Sequence, residues 1–425
     1  MRHDLATPML AALLASCSQA PLDAPAAASS SATGSSLTAV ATPASSAASP
    51  GNDDVEVPRE PFTDPVKNFD AARKALLEGY YRDSLTEEDL YRGAVAGMLE
   101  RADPAMRKWN KLLSPSDVAE LRVDLSGELV GIGVKIDFDP ATGYIDVRGT
   151  IPGSPAERAG IQPPDKIVTI DGKLYKGLTL HDAVFDIRGK AGQTVTLSIL
   201  RGAQLVSIPV VREKITYDTV RDMVLPGDVG YVRIPSFNSK TPATLHDALT
   251  DLSMHHVHAL VLDLRSDQGG SFDDAIASTG ELVPAGSTVA NLNKRGKVEA
   301  IVAKTTPVLP DMPMAVLVDH GTASSAELLT AAVKELRHAT VVGGTTQGKW
   351  TVQTLDDLPN GFSIKYTVGV FSSPGGKSYE GTGMPPDVEV DWSDDAIARA
   401  EEITDPAKRL ADDVQLRTAV AIVTR

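Results

Sequence analysis

The sequence predicts an α/β protein: a core with a mixed or parallel sheet and flanking helices, a smaller strand-rich domain inserted ahead of it, and a helical segment at the front. Three observations carry this. From 214 to 390, apolar strand-like runs alternate with helical runs, and strand–helix–strand alternation calls for a parallel sheet with right-handed crossovers. From 126 to 213 the pattern changes to short Val/Ile alternations broken by Gly and Asp, around one clear helix. From about 62 to 125, apolar residues recur at helical spacing.

The 425 residues, 42% of them hydrophobic, are enough for two or three domains with real cores. A net charge of −15 argues against a nucleic-acid binder and against electrostatic attachment to anionic lipid. The single cysteine, Cys17, excludes an intramolecular disulfide. Arg2 and His3 precede a short apolar run from Met9 to Ala15, which Leu14-Ala15-Ser16-Cys17 closes. This resembles a bacterial lipoprotein signal over 1–17, which implies acylation at Cys17, a periplasm-facing place in the cell envelope and a membrane held by lipid anchor. Ser18 after the cysteine resembles outer-membrane sorting. Each buried acyl CH₂ contributes about 0.8 kcal/mol, so several chains hold durably. No other apolar run reaches the ~20 residues of a membrane span.

Residues 18–60 are rich in Ala, Ser, Thr and Pro and cannot bury enough surface to offset their ordering entropy; they read as a disordered tether. In the 61–125 segment, Phe69, Ala72, Leu76 and Tyr80 fall on one helical face, and Thr86 with Asp89 looks like the cap of a second helix. Within 126–213, GYIDVRGTI, DKIVTIDG, TVTLSIL and VSIPVV are strands and TLHDAVFDIRG is the helix. In 214–390, GYVRIPSF, HALVLDLR, MAVLVD and ATVVGG are strands, with helices after QGG and after Ser324. Residues 391–425 read as one or two amphipathic closing helices. Functional groups in such sheets gather where strands end and helices begin.

The stretch GTASSAELL (321–329) lies at such a point. Ser324 and Glu327 form an S-x-x-E capping box, which by itself is ordinary helix chemistry. A nucleophilic serine needs a base. Among the eight histidines, His320 follows the strand with no reason to face the hydroxyl, and His338 lies at the far end of the next helix. His255, His256 and His258 read as a solvated loop, and no metal site is expected. Lysine is the other base that serines use, and Lys349 follows the next strand, so its loop opens at the same sheet edge. A lysine ordinarily titrates near ~10.4. Burial can lower that, an adjacent carboxylate would raise it again, and a neutral amide would orient the amine without that cost. Gln353 stands four residues on, ~13 Å away in a strand and ~6 Å in a helical turn. Direct cooperation of the pair therefore requires a helical turn after Gly348.

The run 126–213 resembles a PDZ domain, on GIGV (131–134), SPAERAGI (154–161) and DKIVTIDG (165–172). With LDLRSDQGG (262–270), TASSAE (322–327), QGKWTVQ (347–353) and GTGMPPDVEV (381–390), the chain from about 65 to 425 resembles the C-terminal processing peptidases, or tail-specific proteases. Lys349 follows Ser324 by 25 residues (349 − 324), the family's spacing. The resemblance implies a crotonase-like peptidase core and a serine endopeptidase with Ser324 as nucleophile, Lys349 as general base and Gln353 as orienting group. The backbone N–H groups of Ser325 and of Gly269 or Gly270 are the candidate oxyanion donors. Gly131, Ile132, Gly133 and Val134 would take a substrate's C-terminal carboxylate as an added strand, with Arg188 as a further candidate. No cofactor is implied; the expected partners are proteins with accessible C-terminal tails and an adaptor or activator. Gln347 and Trp350 flank the lysine where the family usually has Phe and Gly, and Asp267-Gln268 replaces Asn-Pro. The rival reading is a catalytically silent PDZ adaptor or scaffold.

Overall fold

The computed structural model describes residues 63–425 except 140–141, 152, 176–179, 217–218 and 402. The expected signal, Cys17 and the tether over 18–60 lie outside the described residues. Contacts divide the rest into two units meeting between Tyr91 and Arg92.

Helix α1 (Pro65–Gly79) starts where Asp64 accepts the Lys67 N–H, with Pro65 in the first turn. Its expected apolar face stays outward, with Phe69, Leu76 and Tyr80 all exposed. Helix α2 (Glu87–Ala102) begins at the expected cap: Asp89 N–H donates to Thr86 Oγ1 and Thr86 N–H to Asp89 Oδ2. Strand β1 (Lys111–Leu113) and helix α3 (Pro115–Ser126) follow; Ser114 and Asp117 cap α3 reciprocally. The strand was not expected in this segment. Three residues carry no readable period, and β1 exists because β18, defined below, pairs with it.

The inserted domain runs from strand β2 (Glu128–Gly131) through β3 (Val134–Asp139), β4 (Tyr144–Thr150), the short helix α4 (Pro155–Arg158), β5 (Lys166–Ile170), β6 (Lys173–Leu174), α5 (Leu180–Ile187), β7 (Thr194–Arg201) and β8 (Gln204–Val211) to β9 (Glu213–Thr216). Its antiparallel sheet has the order β3-β4-β5-β7-β8, with β6 beside β5. Alternate inward residues make its core, among them Ile145, Ile167, Val195, Leu197 and Ile199. Strands β2 and β9 pair antiparallel, so the chain enters and leaves the insertion through one two-stranded ribbon.

The main sheet comprises β10 (Arg221–Leu225), β11 (Val229–Arg233), β12 (Ala259–Asp263), β15 (Met314–Val318), β16 (Thr340–Gly343) and β19 (Val388–Glu389), in the order β10-β11-β12-β15-β16-β19. All its pairings are parallel except β10 with β11. Strands β11, β12 and β15 are buried along their whole length, which is why they read as continuous apolar runs. Helices α6 (Thr241–Met254), α7 (Phe272–Gly280) and α8 (Ser325–Arg337) contribute Leu249, Ala275 and Leu329 to one face. Helix α11 (Val414–Val423) covers the other with Leu416, Ala419 and Val423; α9 (Asp394–Glu401) and α10 (Pro406–Asp412) precede it, giving three closing helices rather than one or two.

A second, antiparallel sheet was not expected. It orders β1, β18 (Ser363–Ser372), β13 (Thr288–Lys294) and β14 (Lys297–Val302), with β17 (Thr351–Asp357) also on β18. Among the described residues, no helix is long and apolar enough to cross a membrane.

Candidate active site

Strand β15 delivers the chain to Ser324, and β16, its parallel neighbour, delivers it toward Lys349. Both loops leave at the same sheet edge. The turn before α8 is tied down from two sides: Thr322 Oγ1 donates to Leu264 O at 2.8 Å and Ala323 N–H to Asp267 O at 2.8 Å. Ser324 has φ 55° and ψ −116°, a conformation that non-glycine residues rarely hold and that the surrounding bonds must enforce. The residue is 9% exposed.

Glu327 does more than cap. Its carboxylate is fully buried and accepts from five donors. Oε2 receives Ser324 N–H at 2.8 Å and Lys349 N–H at 2.9 Å. Oε1 receives Thr346 Oγ1 at 2.5 Å, Gly348 N–H at 2.8 Å and Trp350 Nε1 at 3.1 Å. The backbones of Ser324 and Lys349 thus meet on one oxygen atom. Gln347 N–H, on Thr322 O at 2.9 Å, adds a second tie between the two loops. The S-x-x-E spacing reveals only the Ser324 half of this arrangement.

Lys349 is half-buried. Burial pushes its ammonium down to about 8, with Lys365 and Lys108 repelling in the same direction and Glu380 and Glu327 opposing. Nearby carboxylates therefore do not defeat the shift; desolvation outweighs them. The side chain lies over the Trp109 ring, with Nζ 4.6 Å from its centroid. Nothing in the sequence around Trp109 signals this contact. Trp350 is fully buried and stacks on Phe371 at 4.8 Å, a fixed wall beside the Lys349 loop.

Gln353 stands in strand β17, so the segment after Gly348 is extended rather than helical, and the condition for direct Lys349–Gln353 cooperation is not met. Gln353 Nε2 donates to Thr351 Oγ1 at 2.8 Å instead. Gly269 (φ +93°) packs so closely that a Cβ there would lie 2.9 Å from Ser324 Cβ and 2.9 Å from Ser325 N. Its N–H donates to Asp267 Oδ1 at 2.7 Å, which leaves Gly270 as the glycine whose N–H goes unused by that carboxylate. Ser325 Oγ turns to Gly270 O at 3.3 Å, away from nucleophile chemistry.

In the inserted domain, Gly131 ends β2 and Val134 opens β3, with Ile132 buried between them. Ile132 O accepts from Ala156 N–H at 2.7 Å and Gly133 O from Ile151 N–H at 2.8 Å. Gly133 (φ +75°) leaves no room for a side chain: a Cβ would meet Ser154 Cβ at 2.3 Å. Arg188 lies against Glu120 of α3 at 3.3 Å, a tie between the insertion and the segment before it. Neither His320, which is exposed beside Asp394, nor His338, at the far end of α8, approaches Ser324 as a base. Among the described residues no group of three or more His, Cys, Asp or Glu side chains could hold a metal ion.

Comparison with known proteins finds two domain matches along the chain. Residues 228–390 match peptidase family S41, and residues 147–201 match the PDZ domain. The chain is 35% identical over 321 residues to a probable CtpA-like serine protease of Staphylococcus aureus (strain N315), an overlap covering 75% of this chain and 63% of that one. It is 32% identical over 330 residues to a protein of the same description from Staphylococcus saprophyticus, covering 77% and 66%. The chain therefore spans somewhat under two thirds of the length of these curated relatives. A putative S41 protease from Bacteroides fragilis shares the fold, with a TM-score of 0.53 at 18% identity over 86% of this chain and 99% of that one. With the Ser324 and Lys349 loops joined on one sheet edge, and a PDZ domain inserted before that sheet, residues 228–390 form a domain of peptidase family S41.

Proposed function

We propose that this protein is a serine endopeptidase that cuts proteins captured by their C-terminal tails, with Ser324 as nucleophile and Lys349 as general base. The observation that carries the reading is the meeting of the Ser324 and Lys349 backbones on Glu327 Oε2, beside an ammonium drawn down to about 8. A lysine so depressed is partly neutral near physiological pH and can accept a proton. In acylation, Ser324 Oγ bonds to the peptide carbonyl carbon while its proton passes to Lys349 Nζ. The oxyanion faces the N–H groups of Ser325 and Gly270 at the N-terminus of α8, where the helix dipole adds to them. Nζ then gives its proton to the departing amine nitrogen as the C–N bond breaks. A water loses its proton to Nζ, attacks the ester and releases the new carboxyl terminus as Oγ recovers its hydrogen.

Capture of the tail falls to the GIGV turn of the PDZ domain, where a peptide adds beside β3 as a further strand. The N-terminal sequence around Cys17 supports a lipid-anchored place in the bacterial envelope facing the periplasm. Gln353 acts, in this reading, by shaping β17 rather than by touching Lys349.

The test is cleavage of an unstructured protein with an apolar C-terminus by the full chain, Ser324→Ala and Lys349→Ala, across pH. Cleavage by the parent alone, rising about tenfold per pH unit below about 8 and levelling above it, is expected. Tail binding without cleavage by any form, alkaline pH included, would sink the reading and leave a PDZ adaptor.

A further inference from the structure

Trp109 lies two residues before β1, and that strand fixes where its ring lies. β1 pairs with β18 through Lys111↔Lys365 and Leu113↔Ser363. Asn110 Oδ1 accepts Thr367 N–H at 2.9 Å, locking the approach to the same strand. β18 also pairs with β17, the strand that Lys349 leads into. The ring is thus carried to the base by backbone pairing. Its own indole N–H is buried and has no acceptor among the described residues, so no hydrogen bond to that group fixes it. What the ring offers is its face. Lys349 Nζ lies 4.6 Å from the centroid, inside the ~6 Å range of a cation–π contact. Nζ has no hydrogen bond or ion pair among the described residues. Lys108 Nζ lies at 4.6 Å from the same ring.

We propose that Trp109 is a positioning residue for the base: its indole face holds Lys349 and stabilises the positive charge that Nζ takes on as Ser324 loses its proton. The proposal rests on the Ser–Lys reading above and adds to it. The charged groups facing Nζ come from four places: Lys365 on β18, Lys108 beside Trp109, Glu380 after β18 and Glu327 on α8. The two lysines oppose the ammonium and the two carboxylates favour it. The ring adds attraction without adding charge. It strengthens the base at the moment of proton transfer, when the ammonium forms, so its benefit is larger in the transition state than in the ground state.

The experiment measures Lys349 directly. In the full chain carrying Ser324→Ala, the pH dependence of amine labelling at Lys349 is read by peptide mass mapping. Adding Trp109→Leu keeps apolar cover but removes the π face. The labelling midpoint should fall by ~0.4 to ~1.5 pH units. Fluorinated tryptophans placed at position 109 alone weaken the face without changing its shape, and should lower the midpoint stepwise with fluorine number; they keep the test decisive if the leucine variant does not fold. In the parent background the same changes should move the rising limb of kcat to lower pH, lower its plateau and leave KM nearly unchanged. A midpoint that stays put or rises along the fluorine series overturns the proposal. A midpoint that falls in a protein no form of which cleaves supports the contact and overturns the peptidase reading instead.

Discussion

Glu327 joins two loops that the sequence separates by some twenty residues. A buried carboxylate is costly unless its lone pairs are filled, and here five donors fill them. Glutamine at this position has the right shape but only one accepting oxygen. With that oxygen toward Ser324 and Lys349, its amide NH₂ confronts Gly348 N–H and the Trp350 indole; turned over, the NH₂ confronts the other two N–H groups. Either way at least two buried donors lose their partner, at about 1–3 kcal/mol each. Glu327→Gln should therefore lower unfolding free energy by about 2–6 kcal/mol, read from denaturant midpoints. It should also cut kcat at least tenfold, because Ser324 and Lys349 lose their common reference point. Unchanged stability would mean that the loops are held by the sheet alone.

At the scale of elements, what the sequence made legible were the pieces with strong periods. MAVLVD, HALVLDLR and ATVVGG are uninterrupted because both sheet faces are covered, and their strands lie where the pattern places them. The second sheet was hidden for the opposite reason. Strand β14 is mostly exposed and β17 only partly buried, so neither carries a clear alternation. Their partners fix them, β1 included. The same limit hid Trp109, which reaches Lys349 only through that pairing, and left open whether the segment after Gly348 turns or extends, which its pairing with β18 decides. The glycine pair before α7 shows a local signal with a tertiary cause. Gly270 has φ +139°, and a Cβ there would sit 2.0 Å from Phe237 O. Phe237 and Gly270 form a parallel bridge, with Ser271 N–H on Phe237 O at 2.9 Å. Gly270→Ala should break that bridge and displace the N–H proposed to face the oxyanion. The expected result is a fall in kcat of at least tenfold with tail affinity unchanged, measured by peptide binding to the full chain. Equal losses in both would point to general unfolding.

Across the whole molecule, a buried ionic cluster fastens the closing helices to the main sheet. Arg265, Asp263 and Asp413 are all fully buried. Arg265 Nε donates to Asp263 Oδ1 at 2.9 Å, and its Nη2 bonds both Asp263 and Asp413, the latter at 2.8 Å. Tyr231 on β11 donates to Asp263 Oδ2 at 2.7 Å, and Arg409 on α10 donates to that tyrosine's hydroxyl at 2.9 Å. Burial opposes the Asp263 charge, and Arg265, Arg233 and Arg409 together outweigh it, holding the carboxyl well below the usual range. Asp413 also caps α11, accepting Leu416 N–H at 2.8 Å. The chain that leaves Arg265 runs directly into Asp267 and Gly269, which frame Ser324, so the cluster anchors one wall of the Ser324 turn. Taking away one member of such a network strands the others without water. Asp413→Ala should cost about 3–5 kcal/mol, whereas Asp413→Asn, which still accepts from Leu416 N–H and from one guanidinium nitrogen, should cost less. Denaturant unfolding of the full chain ranks the three proteins. If alanine and asparagine destabilise equally, the charge rather than the hydrogen bonding holds the helices. If neither does, the helices dock through Leu416, Ala419 and Val423 alone, and the apolar face of the sheet suffices.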